Sequence, residues 1–422
     1  MKSISRKVKK SKYKEENFKK YKEGGQEKYM EDSQKRCQFD HIIDRFGTNC
    51  AKYDEMLPLY GTECIQCKVA DMDFQAPGPI RDAMDRVMKH GIFGYTIMPD
   101  NYRQLVNDWM KRRYHCPIEP DWILFSPRIN MGLNMAVENF TQPQDAVIIN
   151  TPAYPALTAA VTKYGRKLME SPLVSKNGRW CMDLSSLESR IDESVKMFIL
   201  CNPHNPTGRV WEMAELKELE EFCLKHDLIL LSDEIHADLI RKGKTFHSAL
   251  KLSDEMRKRT IVYQSITKTF NIPGIIFSNI IVPDEKTRSL METAIDRWGL
   301  HNPNCFAAAI LENAYTKCDL WLEELQEYLD ENLRYIKQFI DEKLPGFTVT
   351  IPEGTFLVWI GYEKLGWTHQ ELEDFLLNKA KVTIYPGEHF GGTGKGYFRL
   401  NAGIPRSQLA EALKRIESAL KH

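Results

Sequence analysis

An α/β fold built on a largely parallel sheet is predicted by three observations on this 422-residue chain. First, from about residue 121 short apolar runs alternate with helical stretches. The runs are "WILFS", "AVIINT", "VKMFILC", "LILLSD", "TIVYQSI" and "SNIIV", and "MAELKELEEFCLKH" is one of the spacers. Such alternation is the pattern of strands joined by crossover helices that cover both faces of a sheet. Second, the runs end in polar residues, where open sheets of this kind place their ligands. Third, a long helical pattern, "DLWLEELQEYLDENLRYIKQFIDEKLPG", is followed by a shorter alternating block. A chain of this length exceeds one simple core, so that block predicts a second, smaller α+β domain.

The elements follow in order. Residues 1–38 carry much charge of both signs and almost no aliphatic side chains. They cannot bury enough apolar surface to offset their ordering entropy, and a basic, disordered extension is expected. Residues 1–29 are expected to be dispensable for folding and activity, with Met30 an ordinary start. From Phe39 the composition turns globular, and 39–78 reads as an N-terminal segment packing on the small domain. The large domain is assigned to 79–315. In it "PIRDAMDRVMKHG" and "NYRQLVNDWMKRRY" read as amphipathic helices, the first stopped by Gly91. The small domain, 316–422, reads as strand "TFLVWI", helix "THQELEDFLLNKA", strands "VTIYPG" and "YFRLNAG", and helix "RSQLAEALKRIESALK".

Composition narrows the function classes. Lys plus Arg, 58, balance Asp plus Glu, 58, so no overall field favours a nucleic acid or a membrane as partner. No apolar run approaches the ~20 residues of a membrane span, and no apolar stretch follows the basic N-terminus as in a signal peptide. Ten cysteines spread along the chain read as reduced thiols of a cytoplasmic protein. Cys64 and Cys67, in "CIQC", have metal or redox spacing, but no second such pair completes a zinc site and they read as ordinary thiols.

Three strand ends carry the chemistry. "KMFILC" runs into "NPHNPTG", with Asn205; "LILL" runs into "SDEIHADL", with Asp233 and His236; "VYQSI" runs into "TKTFN", with Lys268. Taken singly, each has a bland reading: a turn sequence, a helix cap and a solvated lysine. Together, an amide, a carboxylate and a lysine end three strands in succession. Their order and spacing resemble the pyridoxal-phosphate enzymes of the aspartate aminotransferase fold (fold type I). In that chemistry a lysine amine holds the cofactor aldehyde and a carboxylate keeps the pyridine nitrogen protonated.

"FDHIIDRFGTNCAKYD", "KVADMDFQAPGPI", "GIFGYT", "SDEIHADLI" and "KTFNIPG" narrow the likeness, from about Phe39 onward, to the MalY/PatB branch of cystathionine β-lyase-like C–S lyases. The resemblance implies the following roles. Lys268 is the Schiff-base lysine and general base, Asp233 the partner of the ring nitrogen, and Asn205 the donor to the ring oxygen, with His236 beside it. Tyr154 stacks on the ring, and Ser265 joins the cofactor set. Arg399, in "YFRLNAG", grips the substrate α-carboxylate, for which a planar guanidinium is suited. Tyr95 is lent to the site of a second subunit, which implies a homodimer.

The chain departs from the branch in two places. Arg128, Ile129 and Asn130 stand where a Gly-Val-Val-like turn usually precedes the phosphate-binding helix, whose N–H groups and dipole still suit a phosphate. Lys68 replaces the usual tryptophan before "VADMDF", and Pro155 follows Tyr154. The expected activity is C–S β-lysis of cystathionine-type thioethers. The alternatives are an aminotransferase using the same residues and, from another class, a cofactor-binding regulatory or interaction protein.

Overall fold

A computed structural model describes residues 39–55 and 57–421. The basic extension, and with it the expectations made for residues 1–38, lies outside them.

The six alternating runs form six strands of a seven-stranded sheet, and Lys167–Pro172, which carries no apolar run, adds a strand at its edge. In chain order its strands are β1 (Ile123–Ser126), β2 (Ala146–Thr151), β3 (Lys167–Pro172), β4 (Val195–Cys201), β5 (Ile229–Asp233), β6 (Thr260–Gln264) and β7 (Ser278–Ile281). Across the sheet they lie in the order β1-β7-β6-β5-β4-β2-β3. Strands β6, β5, β4, β2 and β3 pair in parallel, and β7 runs antiparallel to both its neighbours. Burial explains why these runs are continuous rather than alternating: every residue of β1, β2, β6 and β7 is buried. Helices cover the sheet. Among them are α1 (Gly78–His90), α2 (Tyr102–Tyr114), α3 (Ile129–Phe140) and α4 (Met213–Lys225). Helix α1 has proline in its first turn and ends on Gly91, whose φ of 77° accommodates the left-handed cap. Glu212 and Glu215 form a reciprocal capping box at the start of α4.

After α5 (Cys305–Lys317), the 25-residue helix α6 (Asp319–Lys343) leads away from the large sheet. Its later apolar residues, Leu333, Ile336 and Ile340, join a second core beneath a four-stranded antiparallel sheet. That sheet consists of β8 (Thr348–Val349), β9 (Leu357–Gly361), β10 (Tyr385–Pro386) and β11 (Tyr397–Asn401), and α7 (Arg406–Leu420) packs on it. Each fully buried aliphatic side chain contributes roughly 1.5–3 kcal/mol of transfer free energy, so this core has its own stability. Residues Ile65–Gln66 pair with Val382–Thr383 and bring the N-terminal segment against it. The "CIQC" stretch lies here, with Cys64 and Cys67 buried as free thiols.

One glycine joins the two sheets at close range. Gly208 has φ 71°, and its carbonyl accepts the N–H groups of Glu353 at 2.8 Å and Gly354 at 2.9 Å. A Cβ at this position would lie 2.1 Å from the Pro352 Cβ. Gly208→Ala therefore combines left-handed strain with a backbone clash, and is expected to lower the unfolding free energy by roughly 2–4 kcal/mol. A urea titration reads this as a lower midpoint, and an unchanged midpoint would mean the Gly208 and Pro352 loops separate freely.

Candidate active site

The carboxyl ends of the parallel strands surround a cavity of about 190 Å³. Nine of the residues singled out in the sequence line it: Arg128, Ile129, Asn130, Tyr154, Asn205, Asp233, His236, Ser265 and Lys268. Arg399 reaches its edge from β11 through Asn205. Tyr95 lies elsewhere, fully exposed in the irregular segment after α1. A wider cleft of about 550 Å³ between Lys379–Lys381 and α7 contains none of these residues.

Lys268 sits on a single helical turn, Ile266–Thr269, directly after β6. Ser265 caps the turn, accepting the Thr267 N–H at 3.1 Å and donating its hydroxyl proton to the Phe277 carbonyl at 2.5 Å. The turn is fixed from behind by the Thr269 hydroxyl, which donates to buried Asp238 at 2.8 Å. The Lys268 ammonium donates to the Ala70 carbonyl. Burial lowers its pKa to about 8, with the Arg399 charge adding to the fall and Asp71 and Asp233 opposing it. A larger fraction of this amine is neutral near pH 7 than of a solvated lysine, as a nucleophile or base requires.

Asp233 ends β5. One carboxylate oxygen accepts the Ile235 N–H at 3.1 Å, and the other has no partner among the described residues. Burial raises this carboxyl from the ordinary 3.8 to about 6, against the opposing Ile235 N–H and Lys268. Asn205, on the loop after β4, accepts Arg399 Nη1 on its Oδ1 at 3.0 Å, leaving its Nδ2 to donate to a ligand. Arg399 is 2% exposed, and burial lowers its guanidinium to about 10. Its Nη2 donates to the Lys68 carbonyl at 3.2 Å, and its Nε is buried without an acceptor. A buried orphan donor on a cation is costly unless an anion completes it. His236 is buried, its Nδ1 also lacks a partner, and desolvation with the nearby Lys268 and Arg399 charges holds it well below its ordinary pKa and neutral. At the N-terminus of α3, Arg128 is exposed and its carbonyl accepts the Met131 and Gly132 N–H groups. The earliest N–H groups of a helix have no intrahelical partner and suit an anion.

Several residues that hold the site carried no sequence signal of their own. Asn271, at φ 54°, accepts the Met72 N–H at 2.9 Å and donates to the carbonyls of Met72 and Phe74, each at 2.7 Å. Asn401 donates to the carbonyls of Val69 and Asp71, each at 2.6 Å. Fully buried Lys52 pairs with Asp73 at 3.0 Å, beside Arg45 and Tyr53. Glu234, next to Asp233, is pushed by burial to about 7 although Ser232, Ser248, Ala249 and Gln264 all donate to it. An asparagine beside "KTF" and a lysine in "CAKYD" were the available clues, and neither names a partner.

A family model described as aminotransferase class I and II matches residues 65–416. Over 384 residues the chain is 38% identical to cystathionine beta-lyase PatB of Bacillus subtilis, spanning 90% of this chain and 99% of that protein. It is 30% identical to protein MalY of Escherichia coli over 91% of this chain and 98% of that protein. Among solved structures, that of cystalysin from Treponema denticola, which contains a pyridoxal 5'-phosphate cofactor, superposes with a TM-score of 0.88. The two are 33% identical, over 91% of this chain and 99% of that one.

The raised Asp233 carboxyl has a consequence for stability. Between pH 3.8 and about 6 the folded chain holds a proton that the unfolded chain releases, so stability falls as pH rises through that window. The loss amounts to at most about 3 kcal/mol. Asp233→Asn is expected to raise the urea midpoint of the cofactor-free protein at pH 7 and to flatten its fall from pH 4 to 6. A lower midpoint at pH 7 would show that the charged carboxylate is compensated in the folded state.

Proposed function

The chain belongs to the aminotransferase class I and II family, in the branch of PatB and MalY, and we propose that it is a pyridoxal-phosphate-dependent carbon–sulfur β-lyase. The observation that carries the reading is the convergence of a desolvated amine, a buried carboxylate with a free oxygen and an incompletely bonded guanidinium around one cavity. Those groups suit the cofactor: a cation-seeking carboxylate for its ring nitrogen, a free amide N–H for its ring oxygen and a helix N-terminus for its phosphate. When bound, the cofactor supplies an aldehyde that condenses with amines and a protonated ring that draws electrons from the substrate α-carbon.

The chain's own residues do the rest. Asp233 holds the proton at the ring nitrogen. Asn205 Nδ2 would donate to the ring oxygen with His236 beside it, Tyr154 would stack on the ring, and Ser265 with the backbone of Arg128, Ile129 and Asn130 would hold the phosphate. Arg399 binds the substrate α-carboxylate in a paired, water-poor setting. Lys268 Nζ would anchor the cofactor aldehyde, and as a free amine it would remove the α-proton and hand a proton to the departing thiolate. Water completes the balance: one thioether and one water give a thiol, pyruvate and ammonia.

The assembled enzyme is proposed to be a homodimer. Met88, Ile92, Phe93, Tyr95 and Ile97 expose a row of apolar side chains on and after α1, with Trp298 a further exposed aromatic. An apolar stretch of this kind is typical of an interface, and Tyr95 is the residue offered to the second subunit. The division into 39–78, 79–315 and 316–422 is kept as a proposal, supported by the two sheets and by the pairing of Ile65–Gln66 with Val382–Thr383. No helix among the described residues is long and apolar enough to cross a membrane. The free thiols among them support the proposed cytoplasmic location.

Incubation with cystathionine is expected to release thiol, pyruvate and ammonia in equal amounts, and Lys268→Ala to abolish all three. Keto-acid formation that requires an amino acceptor, with no thiol released, would instead make the enzyme an aminotransferase. Arg399→Leu is expected to raise KM by roughly 10–100-fold with a smaller change in kcat, because the carboxylate contact exists in ground and transition states alike. Steady-state kinetics decide it, and a fall confined to kcat would remove Arg399 from substrate docking.

A further inference from the structure

A second cation stands beside Arg399. Tyr385 and Arg399 are directly opposed on β10 and β11, so their side chains share one face of the small sheet. The guanidinium carbon of Arg399 lies 4.9 Å from the Tyr385 ring centroid. The Lys68 ammonium lies 5.7 Å from the same centroid. The two cations are therefore no further apart than these two distances laid end to end, a span that one thioether amino acid with a terminal carboxylate can bridge. The main chain of Lys68 belongs to the wall of the site: its carbonyl accepts Arg399 Nη2, and the Ala70 carbonyl two residues on accepts Lys268 Nζ.

Only one of the two cations has work in the reaction proposed above. Lys68 is half-buried, and no carboxylate pairs with it among the described residues. Two like charges around one ring repel each other, and partial desolvation adds to the cost. The aromatic face of Tyr385 offsets part of this. A second anion at the site would offset the rest. The substrate's α-carboxylate belongs to Arg399, so the remaining anion must come from the substrate's other end.

We propose that Lys68 is a specificity-determining residue. Its ammonium binds a carboxylate at the far end of the thioether side chain, so that the enzyme prefers acidic thioether amino acids to those with neutral, apolar leaving groups. The preference among thioethers rests on the lyase reading, but the binding of a second carboxylate does not.

The test therefore has two arms. In the first, adipate and pimelate are titrated into the cofactor-loaded protein against hexanoate, with calorimetry as the readout. None of the three has an amine, so turnover plays no part. The dicarboxylates are expected to bind about tenfold tighter than hexanoate, the gain of one charge-assisted contact. Lys68→Met, which keeps the apolar stem, is expected to erase that preference, and Lys68→Arg to retain it. Equal binding of mono- and dicarboxylates by the parent protein would overturn the proposal, as would a loss of both alike in Lys68→Met. Hexanoate binding retained by Lys68→Met excludes misfolding as the cause of the methionine result.

In the second arm, S-(2-carboxyethyl)cysteine is compared with S-propylcysteine. Lys68→Met is expected to lower kcat/KM for the acid about tenfold more than for the propyl compound. An unchanged ratio would overturn the proposal. Absence of pyruvate from both compounds with the parent enzyme would overturn the lyase reading alone, and the first arm would still decide Lys68.

Discussion

Residues 68–74 have no regular ladder, yet the geometry of the whole site depends on how their main chain is held. The carbonyls of Lys68, Val69, Ala70, Asp71, Met72 and Phe74 are taken in turn by Arg399, Asn401, Lys268, Asn401, Asn271 and Asn271. The donors come from β11 and from the segment after β6. A buried carbonyl left without a donor would cost more than an ordinary hydrogen bond contributes, so this strip of backbone tolerates little displacement. Beneath it, Asp73 gathers Lys52, Arg45 and Tyr53. Removing Asp73 would strip fully buried Lys52 of its closest anion, at a cost of about 3–5 kcal/mol. The pairs therefore fix position more than they add stability.

Desolvation, rather than any single close contact, prepares the ionisable groups. It is the largest cause of the fall of Lys268, the rise of Asp233 and the fall of Arg399, and it keeps His236 neutral. The smaller, Coulombic causes link them: Lys268 lowers Asp233, and Arg399 lowers Lys268. The protein groups alone leave this site electrostatically unfinished. Asp233 lacks a cation on one oxygen and Arg399 lacks an acceptor on Nε. A cofactor with a protonated ring and a substrate with a carboxylate complete both.

Six strands of the sheet were legible in the sequence because burial on both faces makes them nearly unbroken apolar runs, whereas the partly buried edge strand β3 was not; the strand ends were legible because polar residues interrupt the runs abruptly. Asn205, Asp233 and Lys268 could be found for that reason, and they meet around one cavity. The antiparallel direction of β7 was not legible, since an apolar run such as "SNIIV" has no direction. Nor was the clamp on residues 68–74. A side chain that binds a carbonyl recognises no residue type, so Asn271 and Asn401 find their partners only when distant loops fold together. Tyr95 shows a different limit: its surroundings in a single chain are solvent, and only the proposed dimer would give its position a reason.

The same carbonyl strip bears on how the enzyme can move. It is bonded to the large sheet through Lys268 and Asn271 and to the small sheet through Arg399, Asn401 and the Gly403 carbonyl, which accepts the Asp73 N–H at 2.9 Å. A swing that opened the cleft between the sheets would have to strip one set of these bonds together, and the Gly208 contact with Glu353 and Gly354 besides. Hinge bending at this seam is therefore penalised. Traffic into and out of the cavity falls to side chains and to the irregular surface segments, and a transplanted C-terminal half from a relative would function only if residues 68–74 travelled with it.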